Sequence, residues 1–417
     1  MTAQAIGVPA GSALVGHRGE IHPAHWSAVF AMTLCVFALI ASEFMPVSLL
    51  TPIASDLKVT EGMAGQGIAI SGVFAVLMSL SIPAVAGRVS RKTLLLSLTA
   101  MMCLSGGIVA LAPNYLTYMA GRALIGVVVG GFWSMSAATA MQLVPADQVS
   151  RALAIFNGGN ALATVVAAPM GSYLGSTVGW RGAFFCLVPI ALIAFAWQWF
   201  SLPTIASKPH APGSSNVFRL LKNRLVALGM QAVGIFFMGQ FALFTYLRPF
   251  LESVTRVDTP TLSIILLTLG VGGFIGTMAI GGFLKMSFYG TLTIIPALMA
   301  AVALTLIAAG ASVSATALLL GMWGLVATAA PVGWWLWIAQ ALPRDAEAGG
   351  GLMVAVVQLS IALGSTVGGM LFDGSGYRAT FGFSAGLLLI GAFLVFLTAR
   401  ADSTRSVLAE PASVPQP

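Results

Sequence analysis

Stretches of about twenty predominantly apolar residues recur from one end of this 417-residue chain to the other. A stretch of that length is what an α-helix needs to cross the hydrocarbon layer of a bilayer. Only 7% of the residues are charged, against about 25% in a soluble domain. A closed β-barrel is the other structure that can satisfy its backbone in lipid, but the runs lack the alternating pattern a barrel strand carries. The sequence therefore predicts an all-α polytopic membrane protein of about twelve transmembrane helices. Six predicted spans cover residues 26–50, 64–86, 93–112, 115–142, 151–175 and 182–202. Six more cover 224–247, 260–284, 290–310, 313–341, 349–371 and 379–399. Tails at 1–25 and 400–417 and a linker at 203–223, rich in Pro, Ser and Lys, complete the chain.

The net charge of +7 does not point to nucleic acid, because Lys and Arg sit in short loops, where they set topology. With the amino terminus placed inside, 13 of the 19 fall on the inner side and 5 on the outer, and Arg122 remains in the membrane. That bias predicts both termini in the cytoplasm. Residues 1–25 lack an apolar core of signal-peptide length, so the first span is expected to remain uncleaved. Cys35, Cys103 and Cys186 fall singly in separate runs, which predicts neither disulfides nor a metal site.

The two sets of six are repeats. Pro145-Ala-Asp147 matches Pro343-Arg-Asp345 at an offset of 198, and at that offset Asn160 falls on Gln358 and Gly175 on Asp373. Trp180-Arg181 and Phe184 match Tyr377-Arg378 and Phe381 after one further gap. Two parallel six-helix halves, 26–202 and 224–399, predict a transporter whose site lies between them.

Glu43 is the sole acid inside the long apolar stretches and Arg122 the sole base. Placing a charge at that depth costs roughly 2.5–3.5 kcal/mol, so such residues usually face a polar interior. Both lie roughly 7 Å outward of the midplane at 1.5 Å per residue, so they could pair. Burial disfavours an ionised carboxyl and a nearby cation favours it, so the protonation of Glu43 can follow whether a cavity is open. Glu43 and Arg122 are the candidate proton-coupling residues. The candidate cargo residues are Trp133 (on the arginine's helical face), Asn157 and Asn160 on span 5, Gln240 and Phe244 on span 7, Trp334 on span 10 and Gln358 on span 11. Amides beside flat aromatic surfaces suit a neutral heteroaromatic ring carrying hydroxyls. The spans hold no histidine and no second carboxylate, which argues against an enzyme. No phosphate-binding Gly-Lys-Ser/Thr loop is present, which argues against ATP as the driver. No cofactor is expected.

Gly121-Arg122-Ala-Leu-Ile-Gly126-Val-Val-Val-Gly130 resembles the span 4 arginine motif of the major facilitator superfamily. Ala168-Pro169-Met-Gly171 with Gly175 resembles the span 5 motif of its proton-coupled antiporters. The span 2–3 loop resembles the superfamily's gating motif with Arg88, Arg91 and Lys92 kept, but Pro83 replaces its first Gly and Gly87 its Asp. Glu43-Phe-Met-Pro46, Gly131-Phe132-Trp133, Gly239-Gln240-Phe241 through Pro249, and Pro331-Val-Gly-Trp334 are similar to the branch exporting purine ribonucleosides, sugars and arabinose from bacteria. The resemblance implies a proton-gradient-driven antiporter, monomeric, in the bacterial inner membrane, with purine ribonucleosides such as inosine and guanosine as cargo. Sugars or amphiphilic drugs are the alternative. It also implies gate roles for Arg88 and Arg91 at the inner side. Arg248, at the end of span 7, falls at the outer mouth, where it is a candidate gate or an interfacial anchor.

Overall fold

The computed structural model describes residues 24–86, 89–204, 217–342 and 346–409. Among these, twelve helical stretches are long and apolar enough to cross a membrane. The first half holds α1 (Trp26–Leu57), α2 (Glu61–Ala86), α3 (Arg91–Ala110), α4 (Tyr115–Gln142), α5 (Val149–Thr177) and α6 (Gly179–Ser201). The second half holds α7 (Arg224–Phe244), the short α8 (Leu247–Phe250), α9 (Thr259–Met286), α10 (Phe288–Ala309), α11 (Val313–Ala327), α12 (Ala330–Ala341), α13 (Ala346–Ser375) and α14 (Tyr377–Ala409). Polar caps start several of them. Asn114 accepts from Thr117 N at 3.0 Å and Asp258 from Thr261 N at 3.1 Å, each satisfying a first-turn donor that the helix leaves unpaired. The carboxyl of Asp258 is held below the usual carboxylate range by its bonds to Thr261.

The repeat is visible in the backbone. Lys58 and Arg256, 198 residues apart, both adopt left-handed φ, at 55° and 57°. Gly179 and Gly376, 197 apart, do so at 75° and 76°. These paired turns carry the same offset, and the same one-residue gap, as the sequence motifs. The Pro343-Arg-Asp345 copy of the first motif lies outside the described residues.

Two spans differ from the continuous helices expected. Span 10 breaks between α11 and α12, and span 7 between α7 and α8. Prolines explain both, because each lacks the N–H that would bond one turn back. Pro331 follows the first break and Pro249 the second. At the first, the Thr277 hydroxyl of α9 donates to the Thr328 carbonyl at 3.3 Å, replacing a lost helical donor. The first span also runs seven residues further than expected, to Leu57.

Helices α2 and α4 pack with their backbones close. A Cβ on Gly126 would sit 2.8 Å from the Cα of Ser71, so only glycine lets the two approach, as small residues do in membrane bundles. Gly126→Val is expected to destabilise the protein by about 1–3 kcal/mol through overpacking. Gly281→Ala, at a position with nothing within 4 Å, should be close to neutral. Thermal unfolding in detergent checks the pair.

Twelve crossings among the described residues put the start of α1 and the end of α14 at one end. Among the described residues, the side-chain hydrogen bonds between the two halves all lie toward the opposite, far end. They join Thr60 and Gly62 to Asp373, Gln66 to Thr366, Ser48 to Arg248 and Glu43 to Gln358. The first turns of α2 thus rest on the last turns of α13. Toward the termini, among the described residues, no side-chain hydrogen bond joins the two halves.

Candidate functional site

Helix α1 carries two internal prolines, Pro46 and Pro52. Each strips a donor from the carbonyl four residues earlier, Ser42 for the first and Ser48 for the second. In lipid an unpaired carbonyl costs several kcal/mol. Two guanidinium groups fill these gaps. Arg122 Nη1 donates to the Ser42 carbonyl at 2.7 Å, and Arg248 Nη1 donates to the Ser48 carbonyl. Arg122 is 1% exposed and also donates to the Glu43 carbonyl at 3.0 Å and the Gly67 carbonyl at 3.0 Å. It ties α1, α2 and α4 together within the first half. Arg248 reaches α1 from the second half and holds Glu252 at 2.7 Å.

The pairing of Glu43 with Arg122 is therefore corrected. The shared depth is right, since Nη2 reaches the backbone oxygen of Glu43, but the carboxylate is not its partner. The Glu43 side chain, 4% exposed, accepts instead from Gln358 Nε2 at 3.2 Å. That bond crosses from α1 to α13, between the halves. Beside it Phe44 stacks on Phe241 with centroids 5.7 Å apart, and Phe241 meets Phe244 edge-on at 5.7 Å. A titratable carboxyl, an amide and three rings thus meet where the two halves touch. Phe44 and Phe241 were not among the expected site residues. Phe241 stands 198 residues from Glu43, so the repeat offset already placed it opposite.

The other candidates scatter. Gln240 shares a face of α7 with Gly229, eleven residues earlier, against which the Trp337 ring packs. Its Oε1 is buried with no hydrogen-bond partner. Trp133 is half-buried and packs edge-on against Phe156 at 6.4 Å. Eleven residues of helix put it about 16 Å along α4 from Arg122, toward the end where α1 begins. Asn157 is exposed at that end and donates back to Leu153 of its own helix at 2.9 Å. Asn160 is half-buried on the same helix. Trp334 is a core residue here, 2% exposed and edge-on to Trp337 at 5.9 Å. It lacks the open face that a cargo wall needs. Arg91 begins α3 half-buried, while Arg88 lies outside the described residues.

The model of the Major Facilitator Superfamily matches residues 32–349. The chain belongs to this superfamily. It is 65% identical over 381 residues to a Pseudomonas aeruginosa protein named transcription regulatory protein OpdE, across 91% of this chain and 95% of that one. It is 38% identical over 371 residues to the purine ribonucleoside efflux pump NepI of Salmonella paratyphi B, across 89% and 93%. Among solved structures it resembles a bacterial homologue of the human lysosomal transporter Spinster, in an inward-facing and unoccupied conformation. The TM-score is 0.72 at 16% identity, covering 92% of this chain and 98% of that one. This last likeness concerns the fold.

As a major facilitator transporter, the chain joins its two halves, among the described residues, through the Glu43–Gln358 bond and the far-end contacts. Sequence alone did not single out Thr60, Gln66, Thr366 or Asp373, which carry far-end contacts. Asp373 was aligned with Gly175 in the repeat, and that acid-for-glycine difference was the available signal.

Proposed function

We propose that this major facilitator transporter is a proton-coupled exporter of purine ribonucleosides. Both termini face the cytoplasm of a bacterial inner membrane, and the monomer is the working unit. The observation that carries this is the bond between Glu43 and Gln358 beside Phe44, Phe241 and Phe244. A purine ring stacks on phenylalanine faces, and its hydroxyl-bearing sugar exchanges hydrogen bonds with amides. Cargo entering from the cytoplasm takes the Gln358 amide, and Glu43 loses its proton to the cytoplasm. Once the far side opens, Glu43 regains a proton from outside and cargo leaves. The efflux function in the name of the 38% identical relative supports the same cargo class.

The name of the 65% identical relative favours a second reading, a protein whose action alters transcription. An exporter that removes an inducing small molecule would do this without touching nucleic acid, so both readings are compatible with one machine.

Reconstituted vesicles loaded with inosine, guanosine, arabinose and a cationic dye, then given a pH step, test the cargo. Inosine and guanosine are expected to move against their gradients. Movement of arabinose or the dye alone would replace the purine reading with the sugar or drug alternative.

A further inference from the structure

Helix α2 begins with two caps, one of which comes from the other half of the molecule. Its own Thr60 hydroxyl accepts from Met63 N at 3.1 Å. Asp373, at the end of α13, then takes the Thr60 hydroxyl on Oδ2 at 2.6 Å and the Gly62 N–H on Oδ1 at 3.0 Å. A carboxylate bonded to first-turn donors is a charge-assisted contact placed at the positive end of a helix dipole. The fit is tight, since a Cβ on Gly62 would meet the Asp373 carboxylate and stand 2.8 Å from the Gly369 carbonyl. One turn further along, Tyr246 fills the α2–α13 crossing. Its hydroxyl donates to the Ser365 carbonyl at 2.7 Å, its ring stacks on Phe372 at 5.3 Å, and it lies against Gly65.

The repeat lacks a reciprocal device. The counterpart of Thr60 is Asp258, which caps α9 from within its own half. The counterpart of Asp373 is Gly175, which has no side chain to offer α9. We propose that Asp373 is a one-sided latch: by capping α2 from the other half it makes the conformation closed at the far end the resting state. It is a positioning residue for the transport cycle and does not depend on which cargo is carried.

Spin labels at Leu116 and Val313, both exposed at the far end of opposite halves, report the opening of that end by pulsed distance measurement. In the full-length protein the wild type should give one short-distance population. Asp373→Ala is expected to raise the far-end-open fraction by roughly tenfold or more, since two bonds to a charged acceptor are lost. Thr60→Val, which removes one of those bonds, should raise it less. Asp258→Ala removes a helix cap of the same kind without crossing between halves, and should leave the distances unchanged. Two results would overturn the latch: an Asp373→Ala distribution identical to wild type, or an equal shift in Asp258→Ala.

Discussion

Vesicles carrying Glu43→Gln are expected to lose accumulation driven by a pH gradient while still equilibrating cargo downhill. Glutamine keeps the shape of the side chain and an oxygen that can accept from Gln358 Nε2, so the 3.2 Å contact between the halves can persist. What it removes is the carboxyl group proposed to carry the proton. A membrane potential of about 150 mV supplies roughly 3.5 kcal/mol per charge, enough for a gradient of a few hundredfold for neutral cargo. The variant's accumulation ratio should fall from that scale to about one. Persistent accumulation in Glu43→Gln would move the coupling to another group.

The second large effect concerns Arg122. Its fork holds three carbonyls, on Ser42, Glu43 and Gly67, and one of them is orphaned by Pro46. Arg122→Ala leaves these oxygens without that donor in a medium that offers no replacement, at a cost of several kcal/mol. The variant is expected to fall sharply in thermal stability or fail to accumulate in the membrane. Arg122→Lys should recover little, because an ammonium lacks the fork that spans separate acceptors. Pro46→Ala restores an N–H one turn beyond Ser42, so the double variant should regain part of the stability lost by Arg122→Ala. A double-mutant cycle on unfolding in detergent measures this coupling. Additive losses would show that the guanidinium is not mending the proline gap.

The topology was legible because span length and apolar composition are set by bilayer thickness, which is the same for every helix. Helix ends were less so: α1 continues past residue 50 to Leu57, where polar residues meet water and hydropathy no longer marks the helix. The breaks at Pro249 and Pro331 had a local signal, yet a reading by span length merges the two pieces. Glu43 stood out because an acid in lipid is costly wherever its side chain points. Its partner did not, since depth along two helices says nothing about which face each turns. Arg122 spends its donors on backbone oxygens, and proline chemistry in α1, not charge pairing, explains that choice. Gln358 was named for cargo, and the structure places it on the carboxyl group itself. Trp334 shared composition with a cargo wall but packs in the core of its own half.

The most direct test is proton release on cargo binding. If Glu43 exchanges a proton for cargo, binding one must weaken binding of the other by the same factor. Adding inosine to purified protein in weakly buffered detergent solution should then release up to about one proton per transporter, and Glu43→Gln should bind inosine with no release. Equal proton release from wild type and Glu43→Gln, or binding by wild type without any release, would contradict the assignment of Glu43 as the coupling group.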